Sequence, residues 1–191
     1  MELTIKEKQT LIAVARESIE RLFTQKETTP INFEIHPVLQ TNAGAFVTLT
    51  IGGRLRGCIG YIVSDQPLYD TVRDAAVQAA TGDPRFHPLT EKELAKIEIE
   101  ISVLSPPFPM ESYDDIVIGK HGLILEERGR HALLLPQVPV EHNMNRDQFL
   151  AALCEKGGFS RNMWKEKQVK LSAFTALVFS EEELEKGNDT D

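Results

Sequence analysis

Two glycine-centred hairpin signals, each followed by the same succession of elements, restrict this chain more than any other feature. In the first, residues 44–51 alternate with β-branched side chains, Gly52-Gly53 supplies a two-residue turn, and residues 54–62 return as the partner strand. A helix is predicted over 67–80, with Pro67 in its first turn and Leu68, Val72, Ala75, Ala76 and Ala79 inward; Gly82 closes it and Asp83-Pro84 imposes a loop. Thr90 and Glu93 mark a short capped helix. Residues 96–104 then alternate, with Ile97, Ile99, Ile101 and Val103 on one face and Glu98, Glu100 and Ser102 on the other. The second half repeats the order: a hairpin of 122–126 and 131–138 around Arg128-Gly129, a helix over 145–156 capped by Asn145 and Gln148, a short helix near 160–165, and one long strand over 169–179.

A capped amphipathic helix precedes both halves, with Leu11, Ile12, Ala15, Ile19, Leu22 and Phe23 at helical spacing, ending before a Thr28-Thr29-Pro30 loop. The expected fold is therefore α+β: two unequal lobes from duplicated hairpin-helix-helix-strand units, with mainly antiparallel sheets flanked by helices. A doubly wound parallel sheet is excluded because strands and helices do not alternate. One domain of two packed lobes is expected over 1–183, with 184–191 as an acidic, disordered tail.

Charge narrows the partners. With 29 acidic against 21 basic residues, the net charge of −8 disfavours nucleic acid and anionic membranes. No apolar run approaches the ~20 residues of a membrane span, and the N-terminus has no signal-peptide core. Two cysteines without a Cys-x-x-Cys read as reduced thiols of a cytoplasmic protein. His36, His87, His131 and His142 lack metal-ligand spacing, so no metal is expected; no P-loop, GxGxxG, GxSxG, HExxH or kinase signature is present, and no cofactor is expected.

The chemistry concentrates in Leu55-Arg56-Gly57-Cys58-Ile59-Gly60. On a regular strand Arg54, Arg56 and Cys58 share a face, and a guanidinium beside a thiol favours the nucleophilic thiolate. Gly57 and Gly60 are sites of close backbone or ligand approach. Against this stands the ordinary behaviour of cysteine as a small buried hydrophobe, which also accounts for Cys154 on its helix. Lys120 and His121 sit in a Gly119–Gly122 turn, where the imidazole is either a general base or an exposed turn residue. Arg85, in the stiff Asp83-Pro84-Arg85-Phe86 loop, is an anion clamp or half of a surface ion pair. Glu100 is a solvated strand residue unless its face is covered, in which case it becomes a candidate acid.

The Leu55-to-Gly60 run, Asp83-Pro84-Arg85-Phe86, Ile101-Ser102-Val103-Leu104-Ser105-Pro106-Pro107, Gly119-Lys120-His121-Gly122-Leu123 and Leu134-Leu135-Pro136-Gln137-Val138 together resemble the AMMECR family, called AmmeMemoRadiSam system protein A in prokaryotes. The likeness runs from about Leu11 to Phe179. Met144-Asn145 and Lys156-Gly157-Gly158 depart from the family's usual Trp-Asp and Lys-Ala-Gly, which puts packing of that helix in question. The resemblance implies two unequal α+β lobes, a cleft near the cysteine, and a setting beside Memo-type and radical-SAM proteins. It carries no reaction.

Two readings follow. As an enzyme, Cys58 is the nucleophile, Arg56 stabilises the thiolate, His121 or Glu100 serves as acid/base, and Arg85 and Lys120 hold an anionic substrate between the lobes, with Gly57 and Gly60 giving access. As a non-catalytic module, the run shapes a groove for the Memo-type or radical-SAM partner and Cys58 is packing.

Overall fold

The structure of the chain, a computed structural model, describes residues 2–24 and 33–186; the Thr28-Thr29-Pro30 loop and residues 187–191 of the expected tail lie outside these. The described chain divides into two compact units, unit 1 running to Leu104 and resuming at Leu177, and unit 2 comprising Ser105–Ala176. No helix among the described residues is long and apolar enough to cross a membrane.

Unit 1 opens with α1 (Ile5–Glu20), where Thr4 Oγ1 accepts the Glu7 N–H at 3.3 Å and the Glu7 carboxylate accepts the Thr4 N–H at 2.8 Å. Strands β1 (Ala45–Ile51) and β2 (Arg54–Tyr61) follow, joined by Gly52 and Gly53 at φ 56° and 70°, the two positive values a tight hairpin turn demands. Then come α2 (Leu68–Thr81), a 3₁₀ turn at Glu91–Lys96, and β3 (Ile97–Leu104). Both helices cover one face of the sheet: Val47, Leu49, Ile99 and Ile101 are buried with Leu11, Ala15 and Ile19 of α1 and Val72, Ala76 and Ala79 of α2. Each large aliphatic side chain so buried contributes roughly 1.5–3 kcal/mol. The alanine face of α2 meets β2 at Gly57, where the Ala79 carbonyl leaves no room for a Cβ.

In unit 2, β4 (Phe108–Pro109), β5 (Gly122–Glu127) and β6 (Arg130–Leu134) precede α3 (Gln137–Glu141), α4 (Arg146–Lys156), α5 (Met163–Glu166) and β7 (Leu171–Phe174). β8 (Ala176–Ser180) and α6 (Glu181–Lys186) end the described chain. The two four-stranded sheets have the orders β2-β1-β3-β8 and β4-β7-β5-β6. Read from the hairpin edge, each places the second hairpin strand first, the first hairpin strand next, and the returning strand third. The pairings of β1 with β2 and β3, and of β5 with β6 and β7, are antiparallel. The fold is α+β with antiparallel sheets flanked by helices, and the duplicated order predicted from the two turn signals is present in both sheets.

Four local expectations need correction. Residues 135–138 do not continue the hairpin strand: Pro136, with φ −59° and no N–H to donate, ends β6 and leads into α3. The single long strand over 169–179 is two strands, broken at Thr175, with β7 in one sheet and β8 in the other. Residues 184–186 lie in helix α6, where Leu184 packs against the unit 1 core, and not in a frayed tail. Finally, Arg54, Arg56 and Cys58 do not share a face. The register passes from Leu49↔Gly57 to Thr50↔Leu55, so Arg56 is the extra residue of a β-bulge. Arg54 pairs with inward-lane Ile51, whereas Cys58 pairs with outward-lane Thr48.

Candidate functional site

β2 is an edge strand, and an edge exposes unpaired backbone groups that invite unwanted pairing. At Cys58 the Asp83-Pro84-Arg85-Phe86 loop supplies the missing partner. The Cys58 N–H donates to Asp83 Oδ2 at 2.9 Å, and Arg85 Nη2 donates to the Cys58 carbonyl at 3.4 Å. Both backbone groups of Cys58 therefore point off the sheet, which makes Cys58↔Thr48 a non-hydrogen-bonded pair with closely approaching side chains. Thr48 Oγ1 donates to Cys58 Sγ at 3.3 Å. The thiol is half-buried on the outer face of the sheet.

Asp83 is 4% exposed and saturated: besides Cys58 it accepts from the Arg85 backbone N–H at 3.1 Å, Nε at 2.9 Å and Nη2 at 2.7 Å. The Arg85 guanidinium holds the Asp83 carboxyl well below the usual range, with the Cys58 N–H adding to the effect. Asp83 in turn raises the pKa of Arg85. Arg56 is held separately: Glu93 accepts from its Nε at 2.8 Å and Nη2 at 3.1 Å, and Nη2 reaches the Pro88 carbonyl at 3.4 Å. Arg56 and the Thr90 N–H together lower the Glu93 pKa to about 2. Glu93, expected only as the capping residue of its short helix, does both tasks, accepting from the Thr90 N–H at 2.8 Å.

The outer face carries a row across three strands, Cys58–Thr48–Glu100, fixed by the paired registers of β2, β1 and β3. It is the fourth rung from the Gly52-Gly53 turn. The fourth rung from the corresponding turn in unit 2 is Leu133–Ile124–Ser172, so a cysteine stands at this rung in unit 1 and not in unit 2. Glu100 is half-buried, while its strand neighbour Glu98 is exposed.

Gly57 and Gly60 are places of close approach within the fold. A Cβ at Gly57 would lie 2.1 Å from the Ala79 carbonyl oxygen, and one at Gly60 would lie 2.3 Å from that of Ala45 and 2.4 Å from the Phe46 ring. Lys120 and His121 belong to unit 2. Lys120 is exposed in the turn, where Gly119 has φ 80°. His121 Nδ1 accepts the Val117 N–H at 3.2 Å, and its ring meets Phe108 edge-on with centroids 5.8 Å apart. Burial, followed by the charge of Lys120, pushes its pKa below the ordinary histidine value, which keeps that nitrogen an acceptor at neutral pH.

A cavity of about 390 Å³ opens at the Asp83-Pro84-Arg85-Phe86 loop, lined by Arg56, Pro84, Arg85, Phe86 and His87. No group of three His, Cys, Asp or Glu residues able to hold a metal ion occurs among the described residues. Sequence reasoning missed Thr48, Asp83 and Glu93 as parts of one site. An acid directly before a proline was the available signal for Asp83; nothing local marked Thr48.

The AMMECR1 family pattern matches residues 12–179. A protein of Methanosarcina barkeri, Mbar_A1807, is 40% identical over 189 residues, covering 95% of this chain and 93% of its own. Protein MJ0810 of Methanocaldococcus jannaschii is 40% identical over 190 residues, covering 95% and 93%. The crystal structure of uncharacterized protein PH0010 from Pyrococcus horikoshii superposes with TM-score 0.82 at 38% identity, covering 91% of this chain and 90% of that one.

Proposed function

This chain belongs to the AMMECR1 family, and we propose that its unit 1 carries a thiol-dependent site for a small anionic substrate, with Cys58 as the nucleophile. The observation that carries the reading is the Cys58–Thr48–Glu100 row beside the Arg85 loop. The Thr48 hydroxyl donates to the sulfur and fixes its position beside the Arg85 loop. The guanidinium that borders Cys58 is that of Arg85, paired with Asp83, and not that of Arg56, paired with Glu93. Glu100, next to Thr48 on the row, is the acid/base that takes or returns the thiol proton through the Thr48 hydroxyl.

Alkylation of the folded protein tests this directly. Iodoacetamide at pH 7 is expected to modify Cys58 at least about tenfold faster than Cys154, whose burial raises its pKa and denies reagent access. Thr48→Val is expected to slow Cys58 severalfold, with Thr48→Ser restoring it. Equal inertness of both cysteines in the native protein would remove the nucleophile.

A docking role toward a Memo-type or radical-SAM partner has a separate observation in its favour. Leu55, Tyr61 and Val63, on β2 and just past its end, are 43%, 40% and 69% exposed. On this reading Leu55→Asp with Val63→Asp abolishes co-purification with such a partner while Cys58→Ala does not. The reverse pattern would return the weight to the thiol.

A further inference from the structure

The cavity between Arg56 and the Pro84–His87 segment has a donor pattern that neither guanidinium's structural role explains. Arg56 commits Nε and Nη2 to Glu93 and the Pro88 carbonyl, and Arg85 commits Nε and Nη2 to Asp83 and the Cys58 carbonyl. In each case Nη1, with two N–H donors, has no hydrogen-bond partner among the described residues. Both residues line the same cavity of about 390 Å³. Both guanidiniums also lie over Phe86, with Cζ at 5.9 Å and 5.5 Å from the ring centroid. The tethers remove the rotamer freedom that a ligand would otherwise have to freeze, so these donors are pre-organised.

Charge counting then selects the ligand. Arg56 is balanced by Glu93 and Arg85 by Asp83, so the four groups sum to zero. Attraction must come from directed N–H donors and not from excess positive charge. A second negative charge on the ligand would be met by Asp83 and Glu93, both held ionised. A planar, singly charged oxyanion suits two guanidinium edges. The ring of Phe86 and the Pro84 wall offer a flat apolar surface to whatever carries it.

We propose that this cavity is a carboxylate-binding subsite, taking a small carboxylic acid whose carboxylate accepts from Nη1 of Arg56 and Arg85 and whose flat apolar body rests on Phe86. The inference rests on the reading that unit 1 takes an anionic substrate beside Cys58, and it names the class of that substrate. The cavity volume is that of an ordinary small-molecule site.

Benzoate is the probe. Titrated into the ¹⁵N-labelled full chain, it is expected to shift the side-chain resonances of two arginines saturably, with Kd about 1 mM for so small a ligand. Arg56→Lys and Arg85→Lys identify the two signals and keep the cation; each is expected to weaken benzoate about tenfold, because lysine lacks the fork. Phe86→Leu, which leaves both tethers intact, should weaken benzoate more than acetate. Inorganic phosphate binding as tightly as benzoate would overturn the carboxylate assignment. Absence of any saturable arginine shift in the wild-type protein would overturn the subsite. Cys58 alkylation in the same samples separates the two ideas: saturable benzoate with an inert Cys58 keeps the subsite and removes the nucleophile, and the converse result removes the subsite alone.

Discussion

Gly57→Ala is expected to destabilise unit 1 by about 3 kcal/mol or more, or to prevent its folding. Overpacking usually costs less, because a crowded side chain can rotate away. Here the new methyl would sit 2.1 Å from the Ala79 carbonyl oxygen and 3.1 Å from its carbon, both of them backbone atoms of α2. Relief requires the whole helix to lift from β2. The inward face of α2 includes Leu68, Val72, Ala75, Ala76, Ala79 and Ala80, all buried, so lifting it would open voids along the face and lose packing at each. Chemical denaturation with circular dichroism measures the effect. A loss under about 1 kcal/mol would mean that the approach of α2 to β2 is looser than described.

Asp83→Ala carries the second large effect, about 3 kcal/mol. The substitution strands the Cys58 N–H at the sheet edge and leaves Arg85 without its counter-ion. Arg85 is half exposed and can turn to water, which keeps the loss below that of breaking a fully buried pair. Asp83→Asn separates the two contributions: the amide oxygen still accepts the Cys58 N–H, so roughly half the loss should return. The same residue governs acid stability. Its carboxyl is held well below the usual range in the folded chain, and that of Glu93 is lowered to about 2. A depressed folded pKa contributes stability in full above the unfolded carboxyl value, about 4, and loses it as pH falls through the folded value. The melting temperature should therefore drop steeply below about pH 4, and Asp83→Ala should flatten that slope while lowering the neutral-pH plateau. An unchanged slope would show that Asp83 is not ionised and paired as described.

Both predictions fall within a few ångströms of Cys58, which explains why the run around it is so constrained before any reaction is considered. Gly57 is required by α2, Gly60 by the Phe46 ring, and the Cys58 backbone by Asp83 and Arg85. Packing leaves the thiol unexplained, and the fourth rung of unit 2, with Leu133 in the equivalent place, folds without it.

Much of the molecule was legible in its residue order. Turn chemistry at Gly52-Gly53 and Arg128-Gly129 is local, and so are the alternation over 97–103 and the capping pairs Thr4/Glu7, Thr90/Glu93 and Asn145/Gln148; all recur in the structure. Their duplicated order led to the α+β architecture, because a two-residue turn leaves a strand little choice but to pair with its neighbour. What the tertiary structure alone decided are the places where a distant partner overrides local preference. The bulge at Arg56 reassigns faces, since one extra residue turns the following side chains over. The break at Thr175 gives β7 and β8 to different sheets, although residues 169–179 contain no glycine or proline to mark it. The joining of Asp83 and Arg85 to Cys58, and of Glu93 to Arg56, depends on which strand lies at an edge. Edge position is a property of the assembled sheet, and no window of neighbouring residues contains it.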